Sequence, residues 1–184
     1  MTWIHTYSGI AWDLAMSRAE NVRLNDIAHA LARIARFTGH TRTTGIYSVA
    51  QHSLAVMRRA RDLRAPPAVV LGALLHDAHE TYLGDVSSPL ASLLPGLDAL
   101  KVSHDCAIAE WAGIAPDNLW SPIVLRADAE ALATERRDLL GPSPRPWSEL
   151  PPPWAEPTSI GSEIRRVERT FVALARAMLP EGTP

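Results

Sequence analysis

The residues able to do chemistry in this 184-residue chain gather around His76 and Asp77. This pair closes an otherwise apolar run, Ala68-Val69-Val70-Leu71-Gly72-Ala73-Leu74-Leu75, and is followed by Glu80 and Asp85. An imidazole beside a carboxylate at the end of such a run is costly to bury, and such pairs persist when hydrogen-bonded, ion-paired or bound to a metal. Taken alone, the dipeptide is explained by a buried histidine bonded to its neighbour. More is suggested by Gln51-His52-Ser53 upstream, which offers a second imidazole, and by Asp128 downstream, flanked by Ala127 and Ala129. Asp117 and Asp138 compete for the same role. Two histidines and two aspartates suit Zn²⁺, Mn²⁺, Fe²⁺, Co²⁺ or Ni²⁺. A cation of that kind orients phosphate and lowers the pKa of bound water. Glu80 and Asp85 would then hold that water, move a proton or bind another ion.

The elements that must position these groups read as mainly helical. Asn25 or Asp26 can cap a helix carrying Ile27, Leu31 and Ile34 and stopping near Gly39. A second helix is expected from about Ser48 to Asp62, bearing His52. A third starts at Pro66-Pro67 and runs through His76, Asp77 and Glu80 to Gly84, which would place His76 and Glu80, four apart, on one face. Pro89 to Gly96 reads as a loop, Leu97 to Trp111 as a helix ended by Gly113, and Pro122 to Leu139 as a helix charged on one side. The Gly141–Pro157 segment holds seven prolines, so it is expected to be extended, and Trp147 and Trp154 suggest a segment packed along the helices over a floppy linker. A final amphipathic helix spans Thr158 to Met178 with Ile160, Ile164, Val167, Phe171 and Leu174. The first twenty residues fit a short β-hairpin turning near Ser8-Gly9. The fold class is therefore all-α with a short N-terminal β-hairpin, in one domain over 1–184.

Composition narrows the function classes. The net charge is −2 and Lys101 is the only lysine. No basic stripe with interleaved aromatics is present, so a nucleic-acid partner is not expected. No apolar run approaches the ~20 residues of a membrane span. The lone Cys106 excludes an intrachain disulfide. A cytoplasmic location fits, in a host's cytoplasm if the chain is phage-encoded. His5, His29 and His104 read as surface or packing residues, His79 as surface or supporting structure, and Arg136-Arg137 and Arg165-Arg166 as solvated helix faces.

The run His76-Asp77-Ala78-His79-Glu80-Thr81-Tyr82-Leu83-Gly84-Asp85 resembles the core of HD-domain phosphohydrolases. More narrowly it is similar to bacterial 5′-deoxynucleotidases and phage-type deoxynucleoside triphosphate (dATP) triphosphohydrolases. The resemblance continues through Arg36-Phe37-Thr38-Gly39-His40, Tyr47-Ser48-Val49-Ala50-Gln51-His52-Ser53 and Ala127-Asp128, covering most of residues 25–139. It implies an HD-type domain with His52, His76, Asp77 and Asp128 as ligands of a divalent ion (Zn, Co, Mn or Mg). It also implies Glu80 and Asp85 as the groups that position or activate water. Arg36, Phe37, Gly39, His40 and Ser87 would bind substrate, with Arg36 on phosphate. Relatives commonly carry a phosphate-contacting lysine where this chain has Ala91, so Arg36, Arg42, Ser87 or Lys101 must serve. The implied substrate is a nucleotide and the implied assembly a homo-oligomer. Two other classes compete: a catalytically silent HD-like nucleotide sensor, and a helical interaction module using the proline-rich segment.

Overall fold

The computed structural model describes residues 2–147, 149–158 and 163–183. A two-stranded antiparallel hairpin, β1 (Trp3–His5) and β2 (Ala11–Asp13), leads into α1 (Leu24–Leu31), α2 (Val49–Asp62), α3 (Pro67–Leu75), α4 (Glu80–Leu83) and α5 (Ser88–Ala91). Then follow α6 (Leu97–Ala112), α7 (Pro122–Leu139) and α8 (Ile164–Arg176). The expected mainly helical fold with an N-terminal hairpin is what forms. No helix among the described residues is long and apolar enough to cross a membrane.

The hairpin turns at Gly9, whose φ of +88° suits a residue without a Cβ. It docks through Trp12, buried and stacked on Tyr82 of α4 with ring centroids 3.7 Å apart. Asp26 does not cap α1 as expected. The helix begins at Leu24 with no side-chain cap, and the buried Asp26 carboxylate accepts from the Ser8 backbone N–H (2.6 Å) and hydroxyl (2.8 Å), tying the hairpin turn to α1. Nor does α1 run on towards Gly39. The chain leaves the helix after Leu31, and Ala35 pairs with Ser48 in an antiparallel bridge. Arg36 N–H then donates to the Tyr47 carbonyl and Val49 N–H to that of Ile34. Those pairings use backbone groups that a longer helix would need internally. The Arg36–Gly39 turn carries positive φ at Phe37 (55°) and Thr38 (53°), an uncommon strain for non-glycine residues. Its effect is to bring Arg36 beside the start of α2.

That start is fixed by a capping box. Ser48 Oγ accepts from Gln51 N–H and the Gln51 side chain accepts from Ser48 N–H. His52 therefore sits in the first turn of α2, on the face that packs against α3 and α7. The helix α3 is apolar on every side and buried, as its composition demands. It ends earlier than the sequence suggests: residues 76–79 form a tight turn of i→i+3 bonds, such as Ala78 N–H to Leu75 O and Glu80 N–H to Asp77 O, before α4 resumes. The expected loop after Gly84 also contains one short helix, α5.

Gly72 marks the closest approach in the core. A Cβ there would overlap the Asn118 carbonyl oxygen and lie 2.7 Å from its carbon, both backbone atoms that cannot swing aside. Gly72→Ala is expected to cost about 2–3 kcal/mol, in the range of overpacking a tight core. Urea unfolding would show it as a lowered midpoint at unchanged slope; an unmoved midpoint would contradict this packing.

The proline-rich segment lies along α7. Trp154 N–H donates to Thr134 Oγ1 and its indole N–H to Glu130, while Thr158 N–H donates to Asp138. Arg137, expected to be solvated, donates to the carbonyls of Trp154 and Glu156, and Arg136 lies over the Trp147 ring. These residues hold the strap, although Arg137 stays exposed, as Arg165 and Arg166 do. In α8, Val167 and Phe171 are buried; Ile160 lies outside the described residues.

Candidate metal centre

Three elements converge at the end of α3. His52 comes from α2, His76 and Asp77 from the tight turn, and Asp128 from α7. One ligand atom each from His52, His76 and Asp77 lies within 4.8 Å of the others. His52 Nε2 is 3.6 Å and His76 Nε2 is 3.3 Å from Asp77 Oδ2, and His52 Nε2 is 3.0 Å from Asp128 Oδ1. Ligand atoms about 2.1 Å from a common ion and 90–120° apart stand roughly 3.0–3.6 Å from one another. Asp128 adjoins the tight trio through His52 and is the more exposed partner, its side chain 40% accessible.

Each histidine is oriented from behind. His52 Nδ1 is 2.7 Å from Glu135 Oε1 on α7, and His76 Nδ1 is 2.9 Å from the Ala73 carbonyl. Those acceptors call for a proton on Nδ1 and turn Nε2 towards the cluster, where it offers a lone pair once a cation displaces its own proton. Both Nε2 atoms are buried, and neither makes a hydrogen bond of acceptable geometry despite the nearby carboxylates. Buried imidazole nitrogens left this way are completed by an ion or by ordered water. The donor set fits a divalent ion.

Charge agrees with geometry. Burial and Arg36 press the His52 pKa down, but Glu135 and Asp128 outweigh them and hold it at about 10. Burial would raise Asp77, yet His76, His52 and Arg36 keep it well below the usual carboxylate range. Burial, then Asp77 and Asp85, lifts Glu80 to about 9, so without a cation it keeps its proton at neutral pH. Burial likewise raises Asp85. Arg36 is the nearest fixed positive charge, 3.1 Å from Glu135 and 3.7 Å from Asp77.

Glu135 was not singled out in the sequence, although it lies seven residues after Asp128, on the same helical face. It accepts from Tyr47 OH (2.9 Å) and Arg36 (3.1 Å) as well as facing His52. Glu135→Gln, which keeps the shape and loses the charge, is expected to weaken cation binding about 10–100-fold, as removal of a ligand-orienting carboxylate does. Isothermal titration with Mn²⁺ measures it, and an unchanged affinity would remove Glu135 from the site.

His79, read as surface or supporting structure, is not at the surface. It is 7% exposed, with Nδ1 2.9 Å from Asp105 Oδ1 on α6. Beside the cluster opens a cavity of about 340 Å³, lined by His76, Asp77, His79 and Asp128, by Lys101 with Asp98 and Asp105, and by the apolar Val102, Leu119, Trp120, Val124 and Leu125. Of the other residues expected to meet substrate, Arg36 is at the cluster. Phe37 lies under the Arg36 guanidinium (5.4 Å), Gly39 and His40 are exposed, and Ser87 is half-buried before α5; none of these lines that cavity. Arg42 is tied to the end of α7, its N–H donating to the Leu139 carbonyl. The buried residues His52, His76, His79 and Glu80, with the half-buried Asp77, can hold a divalent cation.

No family model matches the chain. It is 37% identical over 139 residues to the uncharacterized protein YfdR of Escherichia coli (strain K12), a match spanning 76% of this chain and 73% of that protein. The chain belongs to the YfdR family. An uncharacterized protein of Rhodobacter capsulatus is 40% identical over 96 residues, half of this chain and 48% of that one. Neither YfdR nor this second relative carries a name that states an activity, so what a YfdR-type fold does must be argued from the site.

Proposed function

We propose that the chain is a divalent-cation-dependent phosphohydrolase of 5′-nucleotides, preferentially deoxynucleotides. The observation that carries this reading is the convergence of two Nδ1-anchored histidines on Asp77 and Asp128, next to an open cavity. A cation held there would polarise a phosphoryl oxygen and make hydroxide available near neutral pH. His52, His76, Asp77 and Asp128 would hold it, and Arg36 keeps this buried, acidic end of the site close to electrical balance.

The rest of the chemistry falls to the chain's own groups. Water attacks phosphorus, the bond from phosphorus to the nucleoside oxygen breaks, and the departing oxygen takes up a proton. Glu80 and Asp85 are the carboxyls available to orient that water and carry the proton. Lys101 faces the cavity and supplies the phosphate-binding charge that Ala91 does not. The apolar wall of Val102, Leu119, Trp120 and Leu125 suits a sugar and base. A monophosphate would yield nucleoside and phosphate, a triphosphate nucleoside and triphosphate. A silent sensor would have no use for two carboxyls beyond the ligands, which is why the enzymatic reading is preferred.

The test is purified chain with Mn²⁺ or Co²⁺ and a panel of deoxynucleoside mono- and triphosphates, with products separated by chromatography. Release of phosphate or triphosphate that stops on chelation is expected. No product from any member of the panel would sink the proposal.

A further inference from the structure

The turn between α3 and α4 holds a second set of donors that a single-ion site leaves unused. Asp77, His79 and Glu80 each offer a ligand atom, all within 4.8 Å of one another. His79 is built like His52 and His76: its Nδ1 is anchored, here on Asp105, and its Nε2 is buried without a hydrogen-bond partner. Glu80 Oε2 is buried and unpartnered too, in a residue 6% exposed. Two such atoms, from residues more than nine-tenths buried and set beside an aspartate, are the polar groups a folded chain does not leave unsatisfied without reason. The Asp77 contacts to His52, His76 and Arg36 all use Oδ2, so Oδ1 remains to reach the other way. Carboxyl groups are abundant as well: Asp77, Glu80, Asp85, Asp105 and Asp128 lie at this end of the molecule.

We infer that the centre binds two divalent cations, the second held by Asp77, His79 and Glu80, with Asp77 bridging the pair. The inference rests on the single-ion reading above and extends it. Two ions so bridged stand about 3.5–4 Å apart, the separation of two-ion phosphoryl-transfer sites. Glu80 would then act on the attacking water through the ion it holds, and the Asp105–His79 contact orients a ligand just as Glu135–His52 does.

The experiment is Mn²⁺ alone added to the metal-stripped full chain, with bound ions counted by elemental analysis after gel filtration and their coupling read by electron paramagnetic resonance. Two Mn²⁺ per chain with a spin-coupled spectrum are expected. His79→Ala and Glu80→Gln should each bind one Mn²⁺ with an uncoupled spectrum. Asp105→Asn, which leaves every proposed ligand in place, should weaken the second site about 10–100-fold while sparing the first. Circular dichroism confirms that each variant folds, and Asp105→Asn decides the matter if the other two do not. One Mn²⁺ in the parent and an unchanged count in the variants would overturn the inference while leaving the phosphohydrolase proposal standing. No Mn²⁺ at all would overturn both.

Discussion

Asp77→Ala is expected to lower turnover of a nucleotide phosphate by about 10³-fold or more and to remove tight cation binding, with the chain still folded. Among the described residues, Asp77 is the one carboxylate within 4 Å of both Nε2 atoms, at 3.6 and 3.3 Å. The stabilisation that a cation gives to a phosphoryl transition state is worth several kcal/mol, and each ~1.4 kcal/mol is tenfold in rate. Folding survives because the groups left behind keep partners: Arg36 and His52 retain Glu135, and His76 Nδ1 retains the Ala73 carbonyl. Steady-state kinetics, bound-metal analysis and circular dichroism on one preparation check all three parts. Full turnover in Asp77→Ala would take this residue out of the catalytic centre.

Cation affinity is expected to rise steeply with pH. In the cation-free chain the His52 pKa is held at about 10, and that of His76 is also raised, burial being outweighed by Asp77. A ligand nitrogen must give up its proton, so the ion competes with protons. The sign follows from linkage: a histidine whose folded pKa exceeds its ordinary 6.5 stabilises the cation-free fold fully below pH 6.5. That contribution fades as pH rises through 10. The bound state gains over the same window. Between pH 6.5 and 8.5 affinity should climb about tenfold per pH unit for the His52 proton, and more steeply while His76 also releases one. Titration calorimetry in two buffers of different ionisation enthalpy counts the protons released. A pH-independent affinity with no buffer dependence would contradict the electrostatics described here.

The parts of the fold set by local chemistry were legible in the sequence. The helix expected from about Ser48 starts there, Pro67 opens α3, and Gly113 closes α6 with a positive φ. The hairpin turn at Gly9 is likewise local. Errors arose where long-range pairing overrode local pattern. Asp26 looks like a cap but is taken by Ser8, eighteen residues away. Residues 35–39 look helical, but their backbone groups pair with Tyr47 and Ser48. The site divided in the same way. The His76-Asp77 pair stands out at the end of an apolar run, and the ligand set of His52, His76, Asp77 and Asp128 is what the resemblance to HD-domain phosphohydrolases implies. Glu135 and Asp105 were missed because a carboxylate on a charged helix resembles its solvated neighbours until the helix is placed. Only the fold shows that Glu135 faces His52 and that Asp105 faces His79. The Asp128-to-Glu135 spacing of seven was the one signal available beforehand, and it could be read only once Asp128 was trusted.

The most direct test of the centre is anomalous diffraction from crystals of the chain grown with Mn²⁺. The account predicts a peak about 2.0–2.3 Å from His52 Nε2, His76 Nε2 and carboxylate oxygens of Asp77 and Asp128. A peak seated elsewhere, or none between the two imidazoles, would contradict it.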